Sequence, residues 1–331
     1  MFDNNDTTSS KGEFITSAVG DGTDIDALDF AVAEVHPDDL TRLFVHNQLI
    51  YMFGSDSVQP WWNSGVGRPP FDSVQSGARA IGIAGRDAIT EQDGLMYFLD
   101  DDRIPRKMTG FDTLPMGTNP LGKEFASYST VSDCIVWGVN FDHQDFIVYT
   151  FPTASRTWCF HVPSNSWFQL ADGVGDERYR GAGHLSVYDK HLIPDYQNGK
   201  VYELDFDTST DNGNTIQRKR TTASIHSGLY AARGVAAGRE MWFNKVEFDV
   251  QVGEGIATGQ GSDPQLMIRY SDDGGLTYSA EEMYPLGKGG DYLRKVELFQ
   301  QGNAFQRVYE LIYSEPTKFA LFSAHADIDF G

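Results

Sequence analysis

The stretch Ser271-Asp272-Asp273-Gly274-Gly275-Leu276-Thr277-Tyr278 has the spacing S-x-D-x-G-x-T-aromatic, an Asp-box. Its carboxylate can accept turn amides, its glycine can take a positive φ, and its aromatic can anchor the turn to a core. We read Ser271, Asp273, Gly275, Thr277 and Tyr278 as a structural hairpin turn, not as a place of chemistry. A second acidic run, Asp205-Phe206-Asp207-Thr208-Ser209-Thr210-Asp211, starts like a calcium loop. Such a loop needs Gly at its sixth position and Glu at its twelfth, where this chain has Thr210 and Ile216, so a solvated turn is expected.

Other chemistry is not indicated. The eight histidines include no HExxH pair, and no CxxC accompanies them. His184 and His191 are seven residues apart across expected strands, a weak metal signal. GxSxG, phosphate-loop and dinucleotide fingerprints are absent. Acids are common enough to pair by chance, so no general acid or base is nominated. No catalytic, cofactor or metal residues are expected. Cys134 and Cys159 are expected to be buried and reduced, because two cysteines cannot make a disulfide framework.

The charge narrows the field. Among 331 residues, 26 Lys+Arg face 47 Asp+Glu, a net charge of −21. That argues against gripping nucleic-acid phosphates by bulk electrostatics, though not against letting DNA pass. The only dense basic run, Arg218-Lys219-Arg220, reads as an exposed connector that could touch an acidic partner surface. Pro60-Trp61-Trp62 reads as an aromatic cap on the fold or a contact with a neighbouring subunit, ahead of a ligand platform. Met1-Phe2-Asp3-Asn4-Asn5-Asp6 has no basic or apolar signal region, and no stretch is long enough to span a bilayer. A soluble, non-exported product with no membrane partner is expected.

A repeat supplies the scaffold. Leu49–Phe53, Leu95–Leu99, Phe146–Phe151 and Lys200–Phe206 are apolar strands, each followed by a polar turn. Their tyrosines, Tyr51, Tyr97, Tyr149 and Tyr202, are 46, 52 and 53 residues apart. Leu43–Val45, Ala80–Ile83, Cys134–Trp137 and His184–Val187 add a preceding strand to each. Several short strands repeated at about 40–50 residues are the mark of propeller blades, which stack because one blade cannot bury both its faces. Residues before about 40 hold ten acids and one cation, Lys11, and read as a loop-rich opening with a short strand at Glu13–Thr16 and sparse apolar positions up to Val35. Thr221–Arg239 is ambiguous. Beyond it, Val246, Phe248, Val250 and Val252 alternate, as do Leu266, Ile268 and Tyr270. With strands expected at Tyr292–Leu298, Val308–Tyr313 and Phe319–Phe322, this reads as a small β-sandwich. The expected fold is all-β: a propeller-like domain with about four repeats over 1–222, complete or incomplete in blades, then a small sandwich over 223–331.

The stretch from Ser132 through Asp145-Phe146-Ile147-Val148-Tyr149-Thr150-Phe151-Pro152 to Trp158 and Trp167 resembles one blade of the packaged-DNA stabilisation proteins of P22-like short-tailed phages. The run Gly253–Met267 leading into the Asp-box, then Leu286–Gly290, Arg294, Arg307–Leu311 and Glu315-Pro316, is the stronger match. The resemblance covers nearly the whole chain. It implies a non-enzymatic tail hub, or nozzle, in the virion tail, made in the host cytoplasm. It also implies a homo-hexamer below the portal and its adaptor (head-to-tail) protein, retaining packaged DNA and conducting its ejection. Partners would be the tail needle, fibres or tailspikes, and double-stranded DNA enclosed without sequence-specific contacts. Relatives usually carry additional N-terminal propeller sequence, so this chain is expected to start inside the propeller near Phe14. Two other readings use the same residues. A receptor-binding tail fibre would be all-β and acidic. A sialidase-like carbohydrate-active protein would combine a propeller with Asp-boxes.

Overall fold

The computed structural model describes residues 12–18, 20–33, 38–67, 69–205 and 207–331. Lys11, Val35, Phe206 and the Met1–Asp6 segment lie outside the described residues. The chain divides into two units, Met1–Leu204 and Asp205–Gly331. The division falls before 222 because Arg218–Thr221 is a strand that pairs with Gln306–Tyr313 of the second unit.

The described part of the first unit begins with a hairpin where a loop-rich stretch was expected: Glu13–Ala18 pairs with the twelve-residue strand Asp21–Val32. Three four-stranded antiparallel sheets follow, each laid down in chain order. The first holds Leu40–His46, Leu49–Gly54, Val58–Asn63 and Phe71–Ser73. In the second are Ile89–Gln92, Leu95–Leu99, Pro105–Thr109 and Asp112–Pro115. The third holds Ile135–Phe141, Gln144–Phe151, Arg156–His161 and Ser166–Leu170. A three-stranded sheet, Leu185–Val187, Lys190–Pro194 and Val201–Glu203, comes last. The architecture is propeller-like, with sheets that do not close on themselves.

One turn recurs. The first two strands of every sheet are joined by two residues at positive φ: Asn47 and Gln48, Asp93 and Gly94, Asp142 and His143, Tyr188 and Asp189. Two left-handed residues in a row match the twist of a tight hairpin. Next, the second strand is apolar on both sides. Tyr51, Met52 and Phe53, then Met96 to Leu99, then Ile147 to Phe151, are buried nearly without a break. Only a strand covered on both faces reads that way. Adjacent sheets provide the cover: Phe53 meets Phe98 with ring centroids 5.4 Å apart, and Gln92 Nε2 donates to Asp145 Oδ1 at 2.6 Å. Tyr51, Tyr97 and Tyr149 share one core. Tyr202 breaks the pattern, since it lies on the third strand of its sheet and is half-buried.

Two segments differ from the sequence expectation. Ala80–Ile83 is a connector instead of a strand. Its amides bond sideways, Gly82 N to Asp101 Oδ1 at 2.8 Å and Ile83 N to Gly54 O at 3.1 Å, while Ile83 is buried. Asn119–Ser127 is a helix that the alternation did not reveal. Thr118 caps it, Pro120 sits in its first turn, and Leu121 and Phe125 are buried. At its far end Arg103 Nη1 donates to the carbonyls of Phe125, Ala126 and Tyr128, at 3.2, 3.1 and 2.7 Å.

The second unit is a β-sandwich. One sheet orders Arg218–Thr221, Gln306–Tyr313, Gln265–Ser271 and Glu282–Pro285, with Ile225–His226 also on Gln306–Tyr313. In the other, Met241–Val250 pairs along its length with Leu321–Phe330, and with Val296–Phe299 and Asn303–Ala304. The sequence expectation starts one strand at Tyr292 and ends another at Phe322; the ladders start at Val296 and run on to Phe330. Val246, Phe248 and Val250 face Leu266, Ile268 and Tyr309 in the shared core. Met241 and Phe243 join the same core although the parity changes between them and Val246. A register shift between Phe243 and Lys245 resets the pleat. The ambiguous stretch 221–239 contains a 3₁₀ segment, Ser227–Arg233, closed by Gly234 at φ 82°.

Candidate functional site

The Asp-box lies between the paired strands Gln265–Ser271 and Glu282–Pro285. Asp273 is its hub. Its Oδ1 accepts the amides of Leu276 at 3.0 Å and Thr277 at 2.9 Å, and its Oδ2 accepts the Thr277 hydroxyl at 2.6 Å. Ser271 Oγ donates to Asp273 Oδ1 at 2.7 Å and accepts the Gly275 amide at 2.8 Å. Gly274 and Gly275 take φ of 79° and 96°, where a Cβ would strain the chain. Donation from the Thr277 hydroxyl, then from its amide and from Ser271, holds the Asp273 carboxyl far below its ordinary value. Both oxygens of that carboxylate therefore accept hydrogen bonds from within its own turn. Tyr278 is half-buried, with the Arg269 guanidinium 4.5 Å from its ring centre.

Asp272, the variable position of the box, carries a second anchor. Arg307, nearly inaccessible, donates Nε to Asp272 Oδ1 at 2.6 Å and Nη2 to Oδ2 at 2.8 Å. Its guanidinium lies between the rings of Tyr270 and Phe243, 4.2 and 4.7 Å from their centres. Sequence spacing placed Arg307 in the family pattern but assigned it no partner.

The remaining candidates resolve into local structure. Asp205 accepts the Asp207 amide at 3.1 Å and the Thr208 hydroxyl at 3.0 Å, a self-satisfied turn. No group of three or more His, Cys, Asp or Glu among the described residues could hold a metal. His184 Nε2 and His191 Nδ1 are 2.9 Å apart in a hydrogen bond, their rings stacked, with Trp137 stacked on His184. Cys134 and Cys159 are buried and unpaired, and burial pushes both thiols up, away from thiolate chemistry. Trp61 is buried edge-on to Phe14, while Trp62 is exposed. No helix among the described residues is long and apolar enough to cross a membrane.

Arg218-Lys219-Arg220 is not a connector. It is a strand at the rim of its sheet, paired on one side with Tyr313, Ile312 and Leu311. Beside it is a groove of about 440 Å³ that also runs along Phe319, Leu321 and Phe322.

The chain is thus a propeller-like unit followed by a β-sandwich. Two family models match it in this order: "Bacteriophage P22 Gp10, beta-propeller" over residues 4–209, and "Bacteriophage P22 Gp10, beta-sandwich" over 229–329. The chain belongs to the bacteriophage P22 Gp10 family, whose members are phage structural proteins associated with stabilisation of packaged DNA. It is a virion component. No curated protein matches the chain. Among solved structures it is similar to a glycoside hydrolase, at 10% identity and TM-score 0.28, over 88% of this chain and 85% of that one. The computationally designed Ika8 protein is similar at 9% identity and TM-score 0.30, over 83% and 72%. An arabinoxylan arabinofuranohydrolase of family 43 from Bacillus subtilis is similar at 12% identity and TM-score 0.20, over 87% and 64%. At these values the likenesses say nothing about activity.

Proposed function

We propose that this protein is a tail hub, or nozzle: a non-enzymatic ring below the portal and its adaptor that retains the packaged genome and conducts it at ejection. The observation that carries the reading is the family match of both units in order, over 4–209 and 229–329. The charge supports it. A protein of net charge −21 repels the DNA backbone, so a genome can move past it without being held by phosphate contacts. Retention is then geometric, through a constriction or a plug protein. The ring is a homo-hexamer, and its outer partners are the adaptor and the needle, fibre or tailspike proteins.

Imaging of purified particles tests the reading. A hub gives density for several copies around one axis at the single tail vertex. Density in trimers at the periphery, with the isolated protein binding host cells, would instead make it a fibre.

A further inference from the structure

The opening hairpin is not self-sufficient. Among the described residues it is packed at its base, where Phe14 and Ala33 join Met52 and Trp61. Further out, Ile25, Leu28 and Phe30 are exposed by 48%, 77% and 44%. A two-stranded ribbon without a covered face is marginal in water, so this one is built for a partner. The partner must suit its charge: Gly12–Ala33 has five acids, among them the exposed Asp24 and Asp26, and no Lys or Arg.

The same chain carries a complementary surface. Arg218–Thr221 is a rim strand, with Lys219 and Arg220 exposed, and rim backbone is a template for an added strand. The groove beside it has an apolar wall of Phe319, Leu321 and the 67%-exposed Phe322. Basic charge next to an open strand edge and apolar side chains is what an acidic, apolar ribbon requires. We propose that the Glu13–Val32 hairpin of one copy docks on the Arg218–Thr221 edge and groove of the next copy.

Such a contact joins two different surfaces, so it propagates head to tail and closes into a ring when the rotation permits. The inference deepens the ring reading above and rests on it. Assembly of purified full-length protein, followed by light scattering or analytical ultracentrifugation, tests it with charge reversals at exposed positions. D24K/D26K and K219E/R220E should each weaken self-association about tenfold or more, since like charges then face each other. A 1:1 mixture of the two variants should recover assembly with alternating chains, because each variant's hairpin then meets an edge of opposite charge on the other. All four substitutions in one chain should restore assembly. Unchanged assembly in both double variants, or no recovery of assembly in the mixture, would overturn these surfaces while leaving the ring reading in place. A wild-type chain that stays monomeric alone and with portal and adaptor present would overturn both.

Discussion

Arg307 and Asp272 form a two-point ion pair, at 2.6 and 2.8 Å, that ties the Asp-box loop to the neighbouring strand Gln306–Tyr313. The arginine is buried between two aromatic rings whereas its partner is 41% exposed, so the pair is anchored from one side. Removing the arginine strands the carboxylate and opens the space between Phe243 and Tyr270. Arg307→Ala should destabilise the second unit by about 2–3 kcal/mol, below the cost of breaking a fully buried pair because Asp272 reaches water. Arg307→Lys should recover only part of this, since an ammonium lacks the planar fork. Denaturant unfolding measures both.

The box itself should show acid sensitivity. The Asp273 carboxyl is held low in the folded chain by the Thr277 hydroxyl first, then by the Thr277 amide and Ser271. A depressed folded value adds stability that is complete above the ordinary Asp value near 3.8 and lost as pH falls below it. Hydrogen exchange should show the Leu276 and Thr277 amides protected at neutral pH and progressively exposed in strong acid. In Asp273→Ala they should exchange quickly at every pH.

Close passage between sheets in the first unit admits no side chain at Gly85. A Cβ there would lie 2.1 Å from the Ser132 carbonyl oxygen, a backbone atom in the connector to the third sheet. Gly85→Ala should therefore cost about 1–3 kcal/mol, the range of an overpacked interior. Gly94→Ala is the contrast. A Cβ there meets nothing within 4 Å, and the position strains only through its φ of 70°. The drop in Tm should be larger for Gly85→Ala.

His184 should titrate against folding. Burial first, and His191 second, hold His184 below its ordinary value near 6.5. The unfolded chain then takes up the proton more readily. Stability from this group is complete above about pH 6.5 and falls as pH drops through the lower folded value. The Tm should decline from pH 7.5 to pH 5, and His184→Gln should flatten part of that slope.

Much of this fold was legible in the residues, and the failures have physical causes. Tyr51, Tyr97 and Tyr149 marked three blades because a strand covered on both faces must be apolar throughout. Tyr202 misled in register, since the fourth sheet is thin and its middle strand, Lys190–Pro194, is half polar. Of the four two-residue turns only Asp93-Gly94 carries a strong sequence signal; Asn47-Gln48, Asp142-His143 and Tyr188-Asp189 reach positive φ through the pleat around them. Ile81 and Ile83 looked like a strand because a buried connector also needs apolar side chains. The Asp-box could be read as a turn because all its partners are local. The ion pair from Arg307, 35 residues from Asp272, could not, because strand order decides that contact.

DNase-protected DNA in heads assembled without this protein tests the central claim most directly. Such heads should fill and then lose their genome on standing, with protection restored by adding the purified chain. Heads that keep their DNA as long as complete particles do would contradict a role in retaining the genome.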